Sequence, residues 1–346
     1  MADRQPLAGT LMQGQGSGLV SDPASATPAA RARPVAGTLR QAPGGATCCL
    51  LSNGQWHWQH GPIDLLIGVD GEAALVEAAL AEVFAEFADL MAALVTCLPL
   101  LRSPVTNATD LNADRWPLGQ PMAHAVANRM LAACGSHRQS FVTPMIAVAG
   151  SVADVVCERL ARAGLRRVFV NNGGDIALRL QPGQSLRLAL APLRAEPALA
   201  PGQWPVLTIH GHAAVRGVAT SGWRGRSFSL GVADAVTVLA ASASAADAAA
   251  TLIANATNVE STAVLRRRAC DLDEQSDLGQ RLVTTEVGPL TARETCMAVS
   301  AGQAVAESMY KEGEIIAARI VLGSSRQLVG APIVGVAVDG FGQLGS

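Results

Sequence analysis

The chain has 346 residues, 49% of them hydrophobic, and a formal net charge of −2 from 26 basic and 28 acidic side chains. That balance offers no basic field to a nucleic-acid backbone, and aromatics at 3% are too few for the stacking of single-strand binders, so nucleic acid is excluded as a partner. Seven cysteines, an odd number without CxxC spacing, suggest neither a disulfide framework nor a thiolate zinc site and suit reduced, mostly buried thiols.

Residues 1–45 are rich in Gly, Pro, Ala, Ser and Gln without an apolar period, and are expected to be a disordered leader to a single domain over 46–346. Leu7 to Val20 is broken by Gly and Gln and does not form a secretory signal. Order is expected from Thr47–Leu51, followed by a Ser52-Asn53-Gly54 turn and alternating strands at Gln55–His60 and Ile63–Val69. A long amphipathic helix then runs from Ala73 to Thr96, ended by Pro99. Glu77, Glu82, Glu86 and Asp89 on it rule out a membrane span, and a cytoplasmic location is expected.

Ser103–Gly119 reads as a loop and Met122–Ala133 as a helix. Phe141–Val148 reads as extended, Ser151–Ala163 as a helix stopped by Gly164, and Arg167–Asn171 as a strand. Ile176–Leu180 and Leu186–Leu190 then suggest a hairpin around Pro182-Gly183. Pro192 to Pro201 is a loop, and Val206–His210 with Val215–Thr220 suggests a second hairpin around Gly211. Val236–Leu239 is a strand, Ala245–Ala256 an Ala-rich helix and Thr291–Tyr310 another helix, with strands at Ile315–Val321 and Pro332–Val338. Mixed elements without regular β–α alternation point to an α+β (mixed α/β) fold with antiparallel pairing rather than a doubly wound sheet.

Three segments could carry chemistry. Asn171-Asn172-Gly173-Gly174-Asp175 ends a strand in two glycines, which lets a ligand approach the main-chain amides; a plain Gly-Gly turn with a local Asp is the alternative. Thr220-Ser221-Gly222, followed by Arg224 and Arg226, could grip a diphosphate, or be a solvated basic loop. Asp247 and Thr251 lie one helical turn apart and offer hard oxygen ligands suited to Mg²⁺, while Asp247 alone also suits a helix N-terminus. Asp154 and Asp234 are carboxylates in apolar segments, to be paired or ligated if buried. The six histidines suggest no metal set, since no third ligand accompanies His57 and His60 or His210 and His212. GxSxG, P-loop and GxGxxG patterns are absent, and no catalytic residue is identified.

Taken in order, Asp64–Ile67, Ala147–Asp154, Val170–Leu178, Ala219–Ser229 and Gly231–Asn255 resemble the ApbE superfamily of flavin transferases, and more closely an uncharacterised bacterial and archaeal branch of it. The resemblance implies two related T-fold-like modules around an inter-module ligand cleft. It places Gly173, Gly174 and Asp175 at the superfamily's GGD element, and with the two loops and the Asp234 carboxylate read above the expected cofactor site is Asn171, Asn172, Gly173, Gly174, Asp175, Thr220, Ser221, Gly222, Arg226 and Asp234. Mg²⁺ would be held by Asp247, Thr251 and the main chain near Ala149, and the ligand would be FAD or a related phosphorylated cofactor. Two departures bear on the reaction. The interval Ser227–Asp234 lacks the His of the superfamily's HIxDP segment, and a Lys near Ala153 and Asp154 is gone, which argues against ordinary FMN transfer. The alternative is a non-catalytic flavin- or pterin-like cofactor-binding protein of a one-carbon or pterin pathway. A small-molecule ligand is the expected partner, and homo-oligomerisation is left open.

Overall fold

The computed structural model describes residues 37, 39–190, 204–330 and 332–339; residues 1–36, the core of the expected leader, and the expected 192–201 loop lie outside these. The first half holds strands β1 (Arg40–Gln41), β2 (Thr47–Leu50), β3 (Trp56–His60) and β4 (Ile63–Gly71), then helices α1 (Ala73–Thr96), α2 (Leu98–Leu101), α3 (Pro121–Cys134) and α4 (Val148–Leu160). It closes with β5 (Leu165–Asn172) and β6 (Asp175–Leu180), after which β7 (Ser185–Ala189) and β8 (Val206–His210) form a side layer. The second half holds β9 (Gly217–Ser221), β10 (Ala235–Ala240), α5 (Ala243–Ala256), β11 (Val264–Arg268), α6 (Ala269–Leu272), β12 (Leu282–Val287) and α7 (Ala292–Lys311). It ends with β13 (Ala317–Leu322), β14 (Ser325–Val329) and β15 (Val336–Asp339).

Ten strands form one antiparallel sheet in the order β1-β2-β3-β4-β5-β6-β9-β10-β13-β14. Within it the same plan occurs twice. A hairpin (β3-β4, then β9-β10) leads into helices and returns as a second hairpin (β5-β6, then β13-β14) beside the first. The fold is therefore α+β with two related modules, as the sequence suggests. The modules join between β6 and β9 by only two paired positions, Ile176 with Val218 and Ala177 with Gly217.

Period-two burial along the strands sets the layers. Ile63, Leu65 and Ile67 of β4 and Val168 and Val170 of β5 face α1, α3 and α4 in one core. There Trp58 is fully buried against Phe84 and Phe87, with ring centroids 5.2 and 5.5 Å apart. A second core lies between β9, β10 and β13 and the helices α5 and α7. Phe169, Leu178 and Leu180 point to the other face, where Leu186, Leu188, Leu207 and Ile209 of the side layer cover them.

Several expectations need correction. Phe141–Val148 is not extended: Pro144 occupies the first turn of a short 3₁₀ helix, Pro144–Ala147, which runs directly into α4. Its apolar run mimics a strand, but Pro at a first helical position favours the helical turn. The segments on either side of Pro182-Gly183 are not partners either. The first, β6, pairs with β5 and β9, whereas β7 pairs with β8. Likewise β8 pairs with β7 and β15, and β9 with β6 and β10, so no hairpin forms around Gly211. Non-local burial of both faces of β5 and β6 decides these pairings over local turn chemistry.

The N-terminal turn of α5 is wedged between α4 and β9. A Cβ at Gly217 would lie 2.0 Å from the Ser242 carbonyl carbon, and one at Gly150 would lie 2.3 Å from the Ala243 oxygen. Only glycine permits this backbone-on-backbone contact. Asp154, fully buried on α4, accepts hydrogen bonds from the Ala243 and Ser244 amides at 3.0 and 2.9 Å. The Ser242 hydroxyl accepts from Ala245 at 3.2 Å, so the amides at the start of this helix find partners. Asp154→Ala leaves two of them buried without acceptors, and is expected to cost about 3 kcal/mol in urea unfolding with an unchanged denaturant slope.

Candidate active site

The ends of β5, β6, β9 and α5 converge at the joint between the modules. Asp175 opens β6 directly after the Gly173-Gly174 turn, with Asn172 and Asp175 facing each other across it. Both glycines have positive φ, +66° and +118°, which the tight turn requires. Asp247 reaches the same place from the first turns of α5, where its carboxylate accepts the Gly150 amide at 2.9 Å and a further main-chain hydrogen bond from Ala149. Here the N-terminal turn of α4 presents amides to a carboxylate, a favourable arrangement for the helix dipole.

Both carboxyls are raised, and Asp175 acts on Asp247. Desolvation raises the Asp175 carboxyl to about 7, opposed by Arg226 and a main-chain hydrogen bond from Thr220. Asp247 is pushed well above the ordinary carboxylate range by desolvation first and by Asp175 next, with Asp154 adding to the effect and the Gly150 amide opposing it. Two like charges in one partly desolvated site cannot both ionise cheaply. Protonation relieves the pair.

Around the pair, the segments singled out in the sequence take different parts. Arg226 lies across the turn, so that a Cβ on Gly173 would overlap its guanidinium at 1.5 Å from Nη2. Thr251 of α5 donates to the Ser221 hydroxyl at 3.4 Å on the helix side of β9, whereas Thr220 shares a 3.0 Å hydrogen bond with Thr237 on the opposite face of the sheet. Gly222 is tight against the carbonyls of Asp234 and Ala233, where a Cβ would come within 2.6 and 2.8 Å.

Other residues brace the site from behind. The Asn171 side chain accepts the Gly174 amide at 2.8 Å, which takes one of the turn amides out of ligand reach. Asn172 donates to the Ala149 carbonyl at 3.1 Å and accepts the Asp64 amide at 3.3 Å. At Ala149 the amide, not the carbonyl, is turned to Asp247. Asp234 accepts from Trp223 Nε1 at 3.2 Å, Arg224 Nε at 2.7 Å and the Gly323 amide at 2.7 Å, fixing the loop after β9 to the β13-β14 turn. Ser229 contacts Asn255 at 3.2 Å, so the Ser227–Asp234 interval is taken up by architecture.

Sequence reasoning missed one pair. His57 Nε2 lies 2.6 Å from Asp64 Oδ1, on neighbouring strands whose register places Gln59 opposite Asp64. The signal was available: a tight turn at Gly61-Pro62 puts His57 diagonally across from Asp64 on one face. The His57 hydrogen bond holds the Asp64 carboxyl below its ordinary range, and Arg226 helps. Among the described residues no group of three or more His, Cys, Asp or Glu is arranged to hold a metal, so any cation here would need hydroxyl and main-chain oxygens beside the carboxylates. No helix among the described residues is long and apolar enough to cross a membrane.

A family model described as AbpE bacteria matches residues 48–330. A UPF0280 protein of Methanosphaerula palustris is 40% identical over 125 residues, 35% of this chain and 47% of the relative. A UPF0280 protein of Archaeoglobus fulgidus is 34% identical over 146 residues, 41% of this chain and 56% of the relative. The chain thus spans about half the length of the curated relatives it matches. Among solved structures, the apo form of the Pseudomonas stutzeri flavinyl transferase ApbE aligns over 86% of this chain and 96% of that one, at 14% identity and a TM-score of 0.37.

The carboxylate pair generates a pH test. An unfolded Asp titrates at about 3.9, whereas Asp175 in the folded chain titrates at about 7. Between these values the folded state binds the extra proton, so stability falls as pH rises from about 4 to about 7 and then levels off. Asp175→Asn removes this titration. In chelator-containing buffer the variant should melt a few degrees above the wild type at about pH 8, with the gap closing toward pH 4; a gap independent of pH would contradict the desolvation of Asp175.

Proposed function

We propose that this chain, which belongs to the family described as AbpE bacteria, binds a flavin-type phosphorylated cofactor together with a divalent cation at the joint between its modules. The observation that carries the reading is the pair of raised carboxyls Asp175 and Asp247, the first acting on the second, with Arg226 across the turn. Two carboxylates with the hydroxyls of Thr251 and Ser221 nearby form a hard-oxygen donor set, without thiolate or imidazole, which suits Mg²⁺.

In this reading Asp247 and Thr251 hold the cation, with Asp175 closing the set. Ala149 contributes by anchoring Asp247 through its amide. When bound, the cation would neutralise diphosphate charge and ease departure of a phosphate leaving group. Arg226 and the amide of Gly173 lie where they can hold phosphate oxygens, a role in which a guanidinium is strong because it forms paired hydrogen bonds. FAD is the ligand favoured by the likeness of the Gly173-Gly174-Asp175 and Asp247–Thr251 elements to those of flavin transferases. The 227–234 interval supplies no imidazole, so the proposal stops short of FMN transfer to a protein Thr or Ser. That same gap supports a second reading, a flavin- or pterin-binding protein without catalysis.

Titration of the pure chain with FAD in MgCl₂, followed by flavin fluorescence, tests the site. Affinity should depend on Mg²⁺ and should drop by about tenfold or more in Asp247→Asn, the scale usual when support for a metal is removed. Flavin affinity indifferent to both Mg²⁺ and this substitution would reject the reading. Tight binding of FAD with no turnover of it would select the non-catalytic form.

A further inference from the structure

We propose that the end of the β5-β6 hairpin remote from the joint carries a second binding site, a cavity that takes a small organic anion, with the oxyanion on Arg216 and the apolar body on the strand floor. The inference is independent of the reading of the joint. Asp175 opens β6 and Leu180 closes it, so the two sites lie about 16 Å apart along the strand at ~3.3 Å per residue.

The cavity has a volume of about 440 Å³ and lies between the exit of α4, the outer ends of β5 and β6, and the loop that leads into β9. Its size and make-up are those of a small-molecule pocket, an apolar surface with a few placed polar groups. Leu165, Val168 and Leu180, all buried, supply the floor, and Arg162, Arg179 and Arg216 supply charge. Among the described residues no carboxylate lines it. In a chain with 26 basic and 28 acidic side chains, three guanidinium groups around one cavity without an acid are a local excess.

Arg162 and Arg179 lean on carboxylates outside the wall, Glu82 and Glu158, each at 2.7 Å. Glu82 is 62% exposed, and Glu158 is shared with Arg129 at 2.5 Å. Surface pairs of this kind hold a guanidinium loosely, so both arginines can turn to an incoming anion. Arg216 differs. Among the described residues it meets no carboxylate: Nη1 donates to the Ala213 and Val215 carbonyls, the second at 2.7 Å, and Nη2 to Gly211 at 3.5 Å. Those bonds fix the guanidinium plane. They leave Nε and a second Nη2 hydrogen, the edge that grips an oxyanion by two parallel bonds.

The backbone explains why Arg216 stands there. Gly211 packs so closely on the end of β6 that a Cβ would lie 2.2 Å from the Gln181 oxygen, and the Leu178 amide donates to the Arg216 carbonyl at 3.0 Å. The loop is thereby held against β6, where Arg179 pairs across with Val168 of β5. An inorganic ion would satisfy the arginines and leave the floor uncovered. A ring or short hydrocarbon bearing a phosphate or carboxylate satisfies both.

The full chain titrated with phenyl phosphate, benzoate and inorganic phosphate, read by calorimetry and by methyl NMR of Leu and Val, tests this. At least one organic anion should bind saturably, about tenfold or more tighter than inorganic phosphate, and shift the methyls of Leu165, Val168 and Leu180. The tighter of the two identifies the oxyanion as phosphate or carboxylate. Arg216→Leu should weaken binding by about tenfold or more. Because Arg216 also holds its loop, Ala163→Glu on the exposed rim is the second variant; it should melt as the wild type does and weaken binding by a similar factor. Absence of saturable binding by both organic anions overturns the proposal. So does binding that leaves the three methyls unmoved, that survives both substitutions, or that inorganic phosphate matches.

Discussion

The site is held in register by a contact between backbones. The first turn of α5 sits against Gly150 on α4 and Gly217 on β9, with no side chain between, and the buried Asp154 receives its amides. Because Asp247 lies on the next turn of the same helix, this contact fixes where its carboxylate stands relative to Asp175. A methyl group at either glycine would push the helix outward by more than a tolerance of a few tenths of an ångström. The distance between the carboxylates therefore depends on two positions that carry no functional group at all.

Electrostatics then gives the joint its character. Carboxylates that face water repel weakly, whereas those at the joint are drawn away from solvent and toward each other. Amides of Ala149 and Gly150 and the charge of Arg226 offset part of the repulsion, but both groups remain above their ordinary range. A fold does not keep such strain for stability's sake. Strain of this kind is commonly found where a ligand or cation relieves it.

Much of this was legible in the sequence, and the failures have a pattern. Elements fixed by local rules were clear: α1 follows from its amphipathic period, and the β2-β3 turn from Ser52-Asn53-Gly54. Gly164, Asp175 and Asp247 also lie where their neighbours suggest. Partner choice was not legible for β7 and β8, because their apolar faces are spent on covering β5 and β6 from the far side, which no adjacent residue reveals. Asn171 and Asn172 look like ligands in sequence, since polar residues before two glycines suit a binding loop. Their burial, at 4% exposure each, makes them braces instead. His57 escaped for the converse reason: its partner is found only after the register of the β3-β4 hairpin is laid out.

The seam between β6 and β9 has a mechanical meaning. The ladders inside each module from β2 to β6 and from β9 to β14 resist sliding through four or more paired residues, but here two pairs carry the whole sheet connection between the modules. The halves are instead pinned by the α4–α5 crossing, so any rocking of one half over the other turns about that pin. Asp247 lies at the pin itself and Asp175 at the edge of the seam, one in each module. A small rotation would therefore change the gap between them directly, and whatever binds both would act as a clamp on the two halves.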